Sequence, residues 1–144
     1  MTLAKALKQK NRMAQKIAKL QQEIIRENSD RVDNPRKIDV KKLMIEYEHM
    51  VNYLIELKVK IFKASTPVRK DIFRLSELKS NIIFFNAIDT QEGKIDNYGT
   101  DKVTEFSAVF DKLWVKVNIE AKENEIDEIQ DKLDKFNHIT EIDK

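Results

Sequence analysis

Glu46-x-x-His49 is the one spacing in this chain with a chemical reading. Carboxylate-bridged di-iron sites in helical bundles use Glu-x-x-His on two helices, because an i, i+3 pair aims both side chains into one interior, and two further glutamates complete the set. The second motif is missing here: the other histidine, His138, follows Lys135 at that spacing. Tyr47 belongs to the apolar stripe of its segment, so Glu46 falls at the edge of that stripe and His49 on the outer face. The pair reads as a solvated surface pair, and no metal and no cofactor is expected. No Gly-rich phosphate loop or serine elbow is present. The chain has no cysteine to act as nucleophile or thiolate ligand, and carboxylates such as Glu120 and Glu123 fall on a charged outer face. The chain is therefore expected not to be an enzyme, and no small-molecule substrate is evident.

A second pattern is basic. Lys5, Lys8, Arg12, Lys16 and Lys19 recur at near-helical spacing, and a concentrated positive face is what nucleic-acid binding requires. The formal net charge is only +2, however, and it is split along the chain. Residues 1–28 carry seven Lys or Arg against two Glu, whereas residues 110–144 carry six Lys against ten Asp or Glu. An acidic last helix is expected to cover or neutralise the basic first one, which argues against nucleic acid as a partner.

The third pattern is apolar. Ile82-Ile83-Phe84-Phe85 covers more than one face of a helix, so one or two of these residues cannot reach the core of a single copy. Phe84 is the expected outlier. An exposed aromatic of this kind marks an oligomer interface, so Phe84, Phe85 and Trp114 are the expected self-association surface and a second copy of the chain is the expected partner.

The elements that must position these residues follow from periodicity. At 144 residues, with 41% hydrophobic and 36% charged residues, the chain fits one domain (1–144) of long amphipathic helices. Thr2 caps a first helix reaching about Glu27, whose stripe runs through Leu3, Ala6 or Leu7, Lys10, Met13, Ile17, Leu20 and Ile24. These alternating steps of three and four are those of a coiled-coil seam, with Lys10 the one polar intruder. Residues 28–36 hold turn formers and Pro35. Asp39 caps a second helix to about Ala64, with a stripe from Val40 through Leu43, Tyr47, Met50, Leu54 and Leu57 to Ile61, widened by Met44, Val51, Ile55 and Phe62. Ser65-Thr66-Pro67 supplies a cap and a first-turn proline for a third helix, although Thr66 and Arg69 make no capping box and Asp71 is the alternative boundary. That helix runs to about Ile88. Residues 89–102 hold both glycines and read as one long irregular connection. Residues 103–110 have strand-forming composition and could lie extended along the bundle. Asp111 caps a last helix through Val115, Ile119, Lys122, Ile126, Ile129, Leu133 and Phe136, although residues 114–119 also alternate as a strand would.

Four rods of matched length joined by short connections fold back on one another. The expected fold is all-α: an antiparallel up-down-up-down four-helix bundle with coiled-coil-like seams, with the basic first and acidic last helices adjacent and a possible short extended segment before the last helix. Lysines spread through residues 1–20 leave no uninterrupted apolar stretch for a signal peptide, and no run approaches the length needed to span a bilayer. A cytoplasmic location is the expectation.

Three stretches resemble a family of small bacterial proteins, some of whose members carry the name septicolysin. They are MTLAKAL at the start, KIFKASTPV from Lys60 to Val68, and EIDEIQDKLDKFNHITEI from Glu125 to Ile142. The last departs from the family pattern at His138, where a tryptophan is expected. The resemblance implies a helical fold, and the septicolysin name implies a pore-forming, membrane-active protein. The residues themselves favour a non-enzymatic helical scaffold or interaction protein acting through self-association, with membrane activity as the alternative.

Overall fold

The computed structural model describes residues 1–143, which are mostly helical. Four helices, α1 (Leu3–Glu27), α2 (Val40–Ala64), α3 (Arg69–Asn86) and α4 (Lys112–Ile139), are accompanied by two short strands, β1 (Gly93–Asp96) and β2 (Val103–Phe106). The chain divides into two compact units: Met1–Pro67 with the described part of Asp134–Lys144, and Val68–Leu133.

In the first unit, α1 and α2 form an antiparallel hairpin. Both starts are fixed by the residues expected to cap them. The Thr2 hydroxyl accepts from the Lys5 N–H at 3.3 Å, and the Asp39 carboxylate accepts from the Lys42 N–H at 3.2 Å; each satisfies a donor that the first turn leaves unpaired. At its other end α1 lacks a glycine, and the Arg36 guanidinium donates to the Glu27 carbonyl at 3.1 Å instead, placing a cation at the negative end of the helix dipole. In the connecting loop, the Arg31 N–H and the Asn34 amide donate to Asp30 and hold its carboxyl below the usual range. Replacing Asp39 by alanine is expected to lower stability by about 1 kcal/mol, read as a shift of the urea midpoint with unchanged slope.

The three–four stripe of α1 is buried or half-buried along its length, with Leu3, Ala6, Ile17 and Leu20 buried and Lys10 half-buried. On α2 the stripe from Val40 to Ile61 is likewise buried or half-buried, and Leu57 is its most deeply buried member. The residues expected to widen it do not all do so: Met44, Ile55 and Phe62 are exposed. Leu3, Ala6, Leu57 and Ile142 form the core of this unit, with Leu7, Met13, Ile61, Ala64 and Phe136 packed around them. The C-terminal segment is tied to the start of α1 through backbone. The Leu3 N–H donates to the Thr140 carbonyl at 2.7 Å and the Ile142 N–H to the Met1 carbonyl at 3.0 Å, an antiparallel bridge centred on Thr2 and Glu141.

In the second unit, α3 runs antiparallel to the part of α4 that ends at Leu133, since residues early in α3 pair with residues late in α4. Lys132 reaches Asp71 at 2.7 Å, and the Arg74 guanidinium donates to Glu125. Val68, Leu78, Val115, Ile129 and Leu133 are the buried residues here. No side chain caps α3, which follows directly from a 3-10 turn at Thr66–Val68. The helix ends at Asn86, short of the expected Ile88. The start of α4 is firmer: the Asp111 carboxylate accepts from the Trp114 N–H at 2.8 Å, and the alternating residues 114–119 are helical.

Two sequence expectations are corrected by this unit. The chain is not all-α, and residues 89–102 are not wholly irregular, because β1 lies within them and pairs antiparallel with β2, Gly93 opposite Phe106 and Asp96 opposite Val103. The extended segment before the last helix exists, but it takes its partner from this hairpin. The hairpin depends on its glycines. The Thr100 N–H donates to the Asn97 carbonyl at 3.1 Å, and Gly99 between them has a φ of 83°, a left-handed value that a type II turn requires at its third position. Every residue of both strands is exposed.

Candidate self-association surface

At the C-terminal end of α3, one residue advances about 100° around the helix, so four consecutive apolar residues cannot share a face. Ile82 and Phe85 turn inward and are half-buried, while Ile83 and Phe84 stay 72% and 61% exposed. Phe85 is the hinge of an aromatic cluster. Its ring meets Phe84 edge-on at 5.6 Å between centroids and lies tilted against Trp114 at 5.7 Å. Trp114 in turn packs on Phe110 at 4.2 Å. The Lys122 ammonium sits 4.9 Å from the centre of the Phe85 ring, a cation–π contact that covers one face of it.

All three residues singled out in the sequence meet here. The sequence reading missed Phe110, which precedes the Asp111 cap but lies one turn before Trp114; on the same helix start, Leu113 and Val117 are a further exposed i, i+4 pair. These three are 48%, 67% and 54% exposed. The cluster is thus partly ordered within one copy and still largely open to solvent.

Beside it, the Arg74–Glu125 pair links α3 to α4. The guanidinium's hydrogen bond holds the Glu125 carboxyl below its ordinary range and raises Arg74. A depressed carboxyl contributes stability that is present above its unfolded-state value and is lost as pH falls through the folded value. Acidification below the ordinary carboxylate range is therefore expected to lower the melting temperature, and Glu125→Gln to weaken that acid dependence. Thermal melts of both proteins from neutral to acid pH check this.

The other candidates belong to the first unit. Glu46 and His49 are both exposed on α2. The His138 Nδ1–H donates to the Asp134 carbonyl at 2.7 Å, a contact within its own helix. Among the described residues, no three His, Cys, Asp or Glu side chains converge as a metal site would require. Lys5, Lys8, Arg12, Lys16 and Lys19 are all exposed on α1. No described helix is long and apolar enough to cross a membrane.

Comparison with protein-family models, with curated proteins and with solved structures finds no match to this chain.

Proposed function

We propose that the protein is a non-enzymatic helical interaction protein that acts by associating with itself. The observation that carries this is the aromatic cluster of Phe84, Phe85, Phe110 and Trp114, pre-ordered within one copy yet open to solvent. Aromatic residues anchored against neighbours lose little freedom on binding and dominate interface energies. Ile83, Leu113 and Val117, near the cluster in sequence, are further exposed aliphatic residues.

The same reading takes the four helices to form an antiparallel up-down-up-down bundle with α1 and α4 as neighbours. The charge split between the two ends of the chain supports it. Each exposed ion pair contributes little, so the charges act on which helices pair and not on how tightly they do so.

Size-exclusion chromatography with light scattering tests the proposal. A mass above that of one chain at micromolar concentration is the expected result, and a monomer throughout that range overturns it. Release of dye from liposomes by the purified protein would replace this reading with the septicolysin-like, membrane-active one.

A further inference from the structure

Lys5, Lys8, Arg12 and Lys16 follow one another along α1 at steps of three, four and four residues, and all four stand over a groove between α1 and α2. Lys42 joins them from α2. The groove has a volume of about 1170 Å³, and among the described residues Glu46 is the only carboxylate lining it. None of the five cations is ion-paired among the described residues. Like charges one helical turn apart repel, so an anion bound here would relieve an existing repulsion.

Below the cations the groove is apolar. Met13, Ile45, Met50 and Tyr53 line it, with Ile45 57% and Tyr53 45% exposed. The two methionines are flexible and adapt to the shape of what they contact. The Gln9 amide donates to the Tyr53 hydroxyl at 3.1 Å and so fixes that ring across the groove.

A bare phosphate would satisfy the cations and leave the floor wet. A neutral hydrocarbon would cover the floor and leave the cations unanswered. A nucleic-acid strand needs a succession of stacking platforms, and among the described residues only the Tyr53 ring and the His49 imidazole line the groove. We infer that the groove binds an anionic amphiphile: an acyl chain laid along Met13, Ile45, Met50 and Tyr53, with a carboxylate or phosphate head held by the Lys and Arg side chains above. The dimensions agree. From Lys5 to Lys16 the helix rises about 16 Å at about 1.5 Å per residue, and one acyl layer occupies about 15 Å, half of a bilayer core about 30 Å thick. Glu46 and His49 become part of the rim.

The test is a titration of the full chain with a long-chain fluorescent fatty acid below its micelle concentration. Saturable binding is expected, displaced by unlabelled long-chain carboxylate and alkyl phosphate but not by inorganic phosphate or a neutral alkyl glycoside. Arg12→Glu with Lys16→Glu, and separately Ile45→Asn, are each expected to weaken binding about tenfold or more, the scale of one lost charge-assisted hydrogen bond or one apolar contact. All three positions are exposed, so circular dichroism should show unchanged folding. Lys19→Glu, on the same helix but outside the groove, should leave binding as it was. Equal competition by inorganic phosphate, binding only to anionic phosphatidylglycerol vesicles, or affinity untouched by the groove variants would each overturn the inference. Every groove residue belongs to the first unit and the aromatic cluster to the second, so this test and that of self-association fail independently.

Discussion

Phe84→Asp is expected to reduce the assembled protein to single chains while leaving its helix content unchanged. In one copy the Phe84 ring is 61% exposed and, among the described residues, its one ring contact is with Phe85, so the fold of the chain does not depend on it. In an interface the same position would be dry, and a carboxylate there would be buried without a partner, which costs far more than the lost apolar contact. Central aromatic residues of interfaces contribute about 2 kcal/mol or more, so association should weaken at least ~30-fold. Sedimentation velocity over a concentration series measures this directly. Ile25→Asp is the matched control. Ile25 is 70% exposed on α1, in the other unit, and its replacement should not alter the mass. If Phe84→Asp sediments like the parent protein, the aromatic cluster is not the contact surface.

The second large effect concerns stability. Leu57 is 3% exposed and packs with Leu3, Ala6 and Ile142, so three separated stretches of sequence meet on its side chain. Leu57→Ala removes the transfer energy of the lost carbons and leaves a cavity that the surrounding helices cannot fully close, a loss of about 2–5 kcal/mol. Against a total of about 5–15 kcal/mol for an ordinary domain, that is a large fraction. Val59→Ala lies two residues along the same helix at a position 47% exposed, and its effect should stay within about 0.5 kcal/mol. Urea denaturation followed by circular dichroism compares the two. Equal midpoints would mean that the core of this unit lies elsewhere.

The parts of this structure that could be read from the sequence are those decided locally. Thr2, Asp39 and Asp111 each precede a periodic apolar run, and each caps the helix that follows. Phe84 could be placed outside the core by angular arithmetic alone. The strand β1 could not. Gly-Lys-Ile-Asp has neither clear alternation nor a branched run, and it becomes a strand only because Gly99 permits the turn that returns Val103–Phe106 alongside it. At the start of α3 the cap that Ser65-Thr66-Pro67 announces is not used: Thr66–Val68 form a 3-10 turn and the helix begins at Arg69 without a side-chain cap. Phe110 and Trp114 sit on opposite sides of a helix start, so their contact depends on the path of the chain through Asp111. The groove is the clearest case. The basic row of α1 is visible in the sequence, but which row of α2 lies beneath it is set by the rotation of one helix against the other. Met44 and Ile45 are equally plausible neighbours in sequence; only Ile45 lines the groove.

The backbone bridge between Thr2 and Glu141 also orders events in time. Ile142, which completes the burial of Leu3 and Ala6, is made more than 130 residues after them. At about 5–20 residues per second of synthesis, the α1–α2 hairpin must wait several seconds with its end unsealed. Contacts this distant in sequence pay their loop-closure entropy last. The final turn of α4 and the segment after it therefore act as the latch of the first unit, and the chain closes that unit only after Ile142 has left the ribosome.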